Sequence, residues 1–145
     1  MTVQLKRIAE APMAQSVTIR GHGLVADASV QEGGNDAGPS PHDLYDAALG
    51  ACKALTVLWY ARRKGWAIDD VQTVVERDAS GERAGVYRLA TRLQVQGALD
   101  DAQLAELEAV AGKCPVHKLM TTVATEISTV VERASQASTT EGAPS

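Results

Sequence analysis

Phenylalanine is missing from this 145-residue chain, and two tryptophans and three tyrosines are its only other large aromatics. A core must therefore be built from Leu, Val, Ile and Ala, which suit helices and strands rather than aromatic-lined clefts. Excess positive charge is also missing. Fourteen Lys and Arg face eighteen Asp and Glu, giving a formal net charge of -4. The one basic run, Arg62-Arg63-Lys64, reads as the cationic last turn of a helix. Nucleic-acid partners, which require a basic patch, are disfavoured. No apolar run of signal or membrane-spanning length occurs, and the opening Met1-Thr2-Val3-Gln4-Leu5-Lys6-Arg7 is not of that kind. The expected location is cytoplasmic, with no membrane association. There is no Gly-rich phosphate loop, no internal repeat, no Gly-x-Ser-x-Gly elbow and no zinc-protease helix.

Cysteine is scarce, with only Cys52 and Cys114. In a reducing compartment such a pair is not a permanent staple, so catalysis, redox sensing or metal binding gain weight beside plain packed thiols. What is abundant is aliphatic: hydrophobic residues make up 45% of the chain, enough for one real core at this length. A single domain is expected over residues 1–133, followed by a small, polar, frayed tail over 134–145.

The pattern along the chain predicts the elements. Val3 and Leu5 alternate with Gln4 and Lys6, so 2–9 reads as a strand. Residues 16–20 and 24–26 form a hairpin around Gly21-His22-Gly23, and 32–38 form a Gly/Asn/Asp loop. Ser40-Pro41-His42-Asp43 is a helix start, and the helix runs to Lys64 before Gly65 stops it. Between Leu44 and Ala61 it is polar mainly at Asp46, Lys53 and Thr56. So small a domain can hardly wrap such a helix alone, so the helix is expected at the centre of a dimer. Strands over 71–78 and 86–96 make a second hairpin. A helix capped by Asp100 or Asp101 carries Leu104, Leu107 and Val110. Cys114-Pro115 opens a short turn or helix, and Thr121 to Arg133 reads as a final strand. The expected class is α+β with mainly antiparallel pairing.

Cys52 sits in the middle of the long helix, far from either dipole end, in an apolar setting that works against thiolate. Lys53 follows it but points about 100° away around the helix. Cys114 precedes Pro115 and so takes the position that caps a helix start, where thiolate is favoured. By local physics Cys114 is the more easily ionised thiol. Cys114 and His117 form one loose ligand pair, which His22, His42 and Cys52 could supplement, but structural zinc uses four ligands in tight pairs. No metal and no cofactor is expected.

Gly38-Pro39-Ser40-Pro41-His42-Asp43-Leu44 with Ala47-Ala48-Leu49-Gly50-Ala51-Cys52, then Arg63-Lys64-Gly65-Trp66, then Lys113-Cys114-Pro115-Val116-His117, together resemble the OsmC/Ohr family of OsmC-like proteins and organic hydroperoxide reductases. The resemblance implies an OsmC-like fold: antiparallel sheets around a long central helix in an intertwined homodimer. It implies a peroxidase in which Cys52 attacks an organic hydroperoxide and becomes a sulfenic acid. Cys114 then resolves it as a disulfide, and a dithiol reductant restores the pair. In that scheme an acid early in the long helix pairs with an arginine from an N-terminal strand, and Arg20 and Asp43 are the counterparts here. The match is offset: the tenth residue before Cys52 is His42, with Asp43 one place later, a rotation of about 100°. Asp43 also suits a capping box. Trp59 or Tyr60 could line an apolar pocket for alkyl or lipid hydroperoxides, or fill the dimer core. The alternative is a non-enzymatic, redox-sensitive or small-molecule-binding stress-associated dimer. A persulfide on Cys52 is a third reading.

Overall fold

Ser40 begins the longest element. Its hydroxyl accepts the Asp43 N–H at 3.1 Å, and its own N–H donates to the Asp43 carboxylate at 2.9 Å. This reciprocal box, with Pro41 in the first helical position, starts helix α1 (Pro41–Lys64) and satisfies donors that a helix start leaves free. Gly65 ends it in the left-handed conformation at φ 73°, where a side chain would be strained. The computed structural model describes residues 1–135; residues 136–145 of the expected tail lie outside the described residues.

Ahead of α1 three strands form an antiparallel meander, β1 (Val3–Arg7), β2 (Gln15–Ile19) and β3 (His22–Ala26). The β2–β3 link is tighter than the sequence suggested. Ile19 pairs with His22, so the turn is Arg20-Gly21, both at positive φ (51° and 86°). Two such residues give the twist a two-residue hairpin needs. Arg20 is therefore a turn residue, and His22 belongs to β3. Buried Asp27 organises the following loop, its carboxylate accepting N–H groups from Ala28, Asn35 and Ala37 at 2.7, 3.1 and 3.1 Å.

Behind α1 a second antiparallel pair is formed by β4 (Asp70–Asp78) and β5 (Arg88–Gln96), with Val75 opposite Thr91. Burial alternates along both strands, so one face meets α1 and the other meets water. α1 crosses this sheet closely at Gly50, where a Cβ would lie 2.8 Å from a Val75 methyl. Helix α2 (Asp101–Ala111), capped by Asp100, then packs on α1, and the short helix α3 (Pro115–Thr121) follows with Cys114 as its cap. The core lies where α1 and α2 meet β5. Val57, Ala61, Leu107 and Ala111 form it, with Tyr60, Trp66, Ile68, Leu93, Val95 and Leu99 packed around them. It is aliphatic at its centre, as the lack of phenylalanine requires.

The expected strand over 121–133 is not there. Thr121 closes α3, and residues 124–135 carry neither helix nor strand. Ile127, Val130 and Val131 are 81%, 82% and 94% exposed. A strand exists by pairing its backbone groups with a neighbour. Among the described residues this segment pairs with no edge, so its apolar side chains have nothing to cover them. α1 likewise keeps an open face: Leu55, Leu58 and Trp59 are all exposed.

Candidate functional site

The two cysteines come from elements far apart in sequence, and α3 brings them together. As the cap of α3, Cys114 accepts the His117 N–H on its sulfur at 3.4 Å and is fully buried. The adjacent N–H, that of Val116, does not point to Cys114. It donates to the sulfur of Cys52 at 3.5 Å. Cys52 is half-buried, and its carbonyl accepts the Thr56 hydroxyl at 2.7 Å within α1. The mid-helix thiol thus borrows the amino end of another helix. Peptide N–H groups in a first helical turn lack helical partners, so they are free to donate outward to a neighbouring sulfur.

Lys53 joins the same corner. The sequence places it away from Cys52, and it is: its side chain dives into the protein and is 5% exposed. Its ammonium donates to the Ala111 carbonyl at 2.8 Å and meets Nδ1 of His117 at 3.1 Å. One residue of α1 is therefore tied to the end of α2 and to the first turn of α3.

The acidic start of α1 builds a second cluster. Arg77, on the face of β4 turned to α1, donates through Nη2 to Asp43 at 2.8 Å and through Nε to Asp46 at 2.6 Å. Tyr87 donates its hydroxyl to the other Asp46 oxygen at 2.6 Å. Asp46 is buried, so its charge needs these partners. The Ser40 N–H and then the Arg77 guanidinium hold the Asp43 carboxyl below its ordinary range. The two carboxylates, Asp43 first, raise the proton affinity of Arg77 above that of an ordinary guanidinium. Burial, then the bond to Asp46, pushes the Tyr87 phenol up. Beside this cluster Pro41, His42, Tyr45, Glu82 and Tyr87 line an open cavity of about 380 Å³, and His42 Nε2 lies 2.8 Å from Glu82.

The residues singled out by sequence are thus only partly united. Cys52 and Cys114 meet at α3. Asp43 has an arginine partner, but it is Arg77 rather than Arg20. Arg20 is exposed at the hairpin tip and makes no side-chain hydrogen bond among the described residues. Asp46 precedes Cys52 by six residues, about 9 Å along the helix axis, so the acid–arginine cluster does not touch the sulfur. Trp59 lines a groove of about 510 Å³ with Leu55, Leu58 and Trp66, whereas Tyr60 packs on the core and bonds Glu106. Among the described residues no cluster of three or more His, Cys, Asp or Glu could hold a metal, and no helix is long and apolar enough to cross a membrane. Sequence reading overlooked Arg77 and Tyr87, and it set Lys53 aside as pointing away from Cys52. Alternation could have flagged Arg77, because Val71, Thr73 and Val75 put it on the inward face. Lys53 stands out as a charge in an apolar helix, but no sequence signal gives its partners on α2 and α3.

Comparison with known proteins agrees with the fold. Residues 33–130 match the family model described as OsmC-like protein. No curated protein matches in sequence. Among solved structures, the chain is similar to a candidate osmotic stress induced and detoxification response protein of Psychrobacter arcticus 273-4, at 22% identity and TM-score 0.69, over 82% of this chain and 87% of that one. It is similar to the OsmC-like protein of Mycoplasma pneumoniae at 16% identity and TM-score 0.67, over 84% and 87%. It is also similar to an organic hydroperoxide resistance protein of Legionella pneumophila at 20% identity and TM-score 0.59, over 84% and 90%. At these identities the likeness is one of fold.

Proposed function

The chain belongs to the OsmC-like protein family, and on that premise we propose that it is a thiol-dependent peroxidase that reduces organic hydroperoxides. The observation that carries this reading is the sharing of one helix start by two sulfurs: Val116 donates to Cys52, and His117 donates to Cys114. Both sulfurs accept backbone N–H groups of the same turn. Cys52, only half-buried, is the one a substrate can reach.

In the forward step the Cys52 thiolate attacks the terminal oxygen of the hydroperoxide. The O–O bond breaks, the alkoxide takes a proton and leaves as an alcohol, and Cys52 becomes a sulfenic acid. The Cys114 thiolate then attacks that sulfur and displaces hydroxide, which leaves as water. The disulfide that forms is reduced by two-electron exchange with an external dithiol. The name of the Legionella pneumophila neighbour, an organic hydroperoxide resistance protein, supports the substrate class. The apolar groove at Leu55, Leu58 and Trp59, with a second copy as its outer wall, supports alkyl over hydrogen peroxide. The open α1 face and the unpaired 124–133 segment support a homodimer in which a second copy covers both.

The competing reading is a redox-sensitive or small-molecule-binding dimer without turnover. The separation of Cys52 from the acid–arginine cluster favours it. Cumene hydroperoxide added to reduced protein separates the two. Peroxidase chemistry gives stoichiometric loss of both thiols, faster than with hydrogen peroxide, and a sulfenate on Cys52 in Cys114→Ser. Loss at the rate of an ordinary free cysteine rejects catalysis.

A further inference from the structure

Lys53 is a buried cation that the peroxidase scheme leaves unused. An ammonium taken out of water must find an anion or give up its proton. Among the described residues no carboxylate lies within ion-pair distance of it. The acids that face this part of α1 are committed elsewhere: Asp43 and Asp46 to Arg77, and Glu106 on α2 to Lys64 and Tyr60. Its partners are a carbonyl at the end of α2 and an imidazole on α3, neither of them an anion. An ammonium can only donate, so in this contact it is Nδ1 of His117 that accepts. The same His117 gives its backbone N–H to Cys114, and its neighbour Val116 gives its own to Cys52. The groups in this corner able to carry a compensating negative charge are the two thiols.

We propose that Lys53 is a positioning residue whose ammonium, acting through His117 and the first turn of α3, stabilises the thiolate of the Cys52–Cys114 pair. The thiol proton leaves to solvent, and the resulting sulfur charge is the counter-ion the buried ammonium otherwise lacks. The inference deepens the peroxidase reading, and it is tested without peroxide so that either can fail alone.

The first measurement is the rate of Cys52 alkylation by iodoacetamide against pH, resolved by peptide mass spectrometry. Lys53→Met keeps length and burial while removing charge. It moves the profile to higher pH and lowers the rate at neutral pH about tenfold, the change that one pKa unit makes. An unmoved profile in folded Lys53→Met overturns the proposal. The second measurement needs no change at Lys53. The lysine side-chain titration is followed by NMR with 13C-labelled lysine in reduced wild-type protein and in Cys52→Ser/Cys114→Ser. If the sulfurs supply the counter-charge, the Lys53 pKa falls in the serine protein, because coupling between two titrating groups is reciprocal. Equal Lys53 titration in the two proteins overturns it. Slow hydroperoxide consumption beside a shifted profile would sink the peroxidase reading and leave this one standing.

Discussion

Arg77 holds together charges that would otherwise be stranded. Asp46 is buried, and its two oxygens are filled by Arg77 and Tyr87. Removing the guanidinium leaves a carboxylate out of water with one hydroxyl partner. Arg77→Met is therefore expected to lose about 3 kcal/mol of stability in urea unfolding, whereas Arg20→Met, at an exposed turn, changes stability by under about 0.5 kcal/mol. The pH dependence has a definite sign. Asp43 has its pKa depressed in the folded state by Ser40 and Arg77. Its contribution is present above the ordinary carboxylate range and fades as the solution is acidified through and below it. In Arg77→Met that acid-side slope flattens. Equal slopes in the two proteins would deny Arg77 this role.

At the scale of elements, the site depends on how closely α1 lies on β4. Gly50 permits that approach, since a Cβ there would come within 2.8 Å of the stiff Val75 side chain. Two effects compete in Gly50→Ala. Helix propensity gains about 1 kcal/mol, and overpacking costs about 1–3 kcal/mol. Overpacking wins, so the single variant is expected to be destabilised by about 1 kcal/mol. With Val75→Ala in place the clash is gone, and the same substitution becomes stabilising. A double-mutant cycle on urea midpoints checks this; additivity would mean that the contact does not limit the packing. The elements themselves were legible because their signals are local. Ser40, Pro41 and Asp43 start α1, Gly65 stops it, and Asp100 caps α2. The 121–133 segment misled because β-branched residues announce a strand without announcing its partner.

On the scale of the whole molecule, one chain leaves apolar surface that a monomer seldom keeps. Leu55, Leu58 and Trp59 on α1 and Ile127, Val130 and Val131 beyond α3 are all exposed. A second copy packed on these residues would take them out of water. Sedimentation equilibrium at micromolar concentration is expected to give twice the chain mass, and Leu55→Asp with Leu58→Asp to shift the protein towards monomer. A wild-type monomer would remove the second copy from the account of the site.

The sequence by itself determined the order of elements as far as Cys114, both ends of α1, the aliphatic core and the two cysteines, because each follows from neighbours within a few residues. The tertiary structure decided the chemistry around those cysteines. Read locally, Cys52 sits mid-helix with nothing to ionise it, and Cys114 holds the favoured cap. Folding lays the amino end of α3 beside α1, gives Cys52 the Val116 N–H, and buries the Lys53 ammonium against His117. Those contacts join residues more than sixty positions apart. Their energies depend on distance and burial in space, which no local pattern encodes.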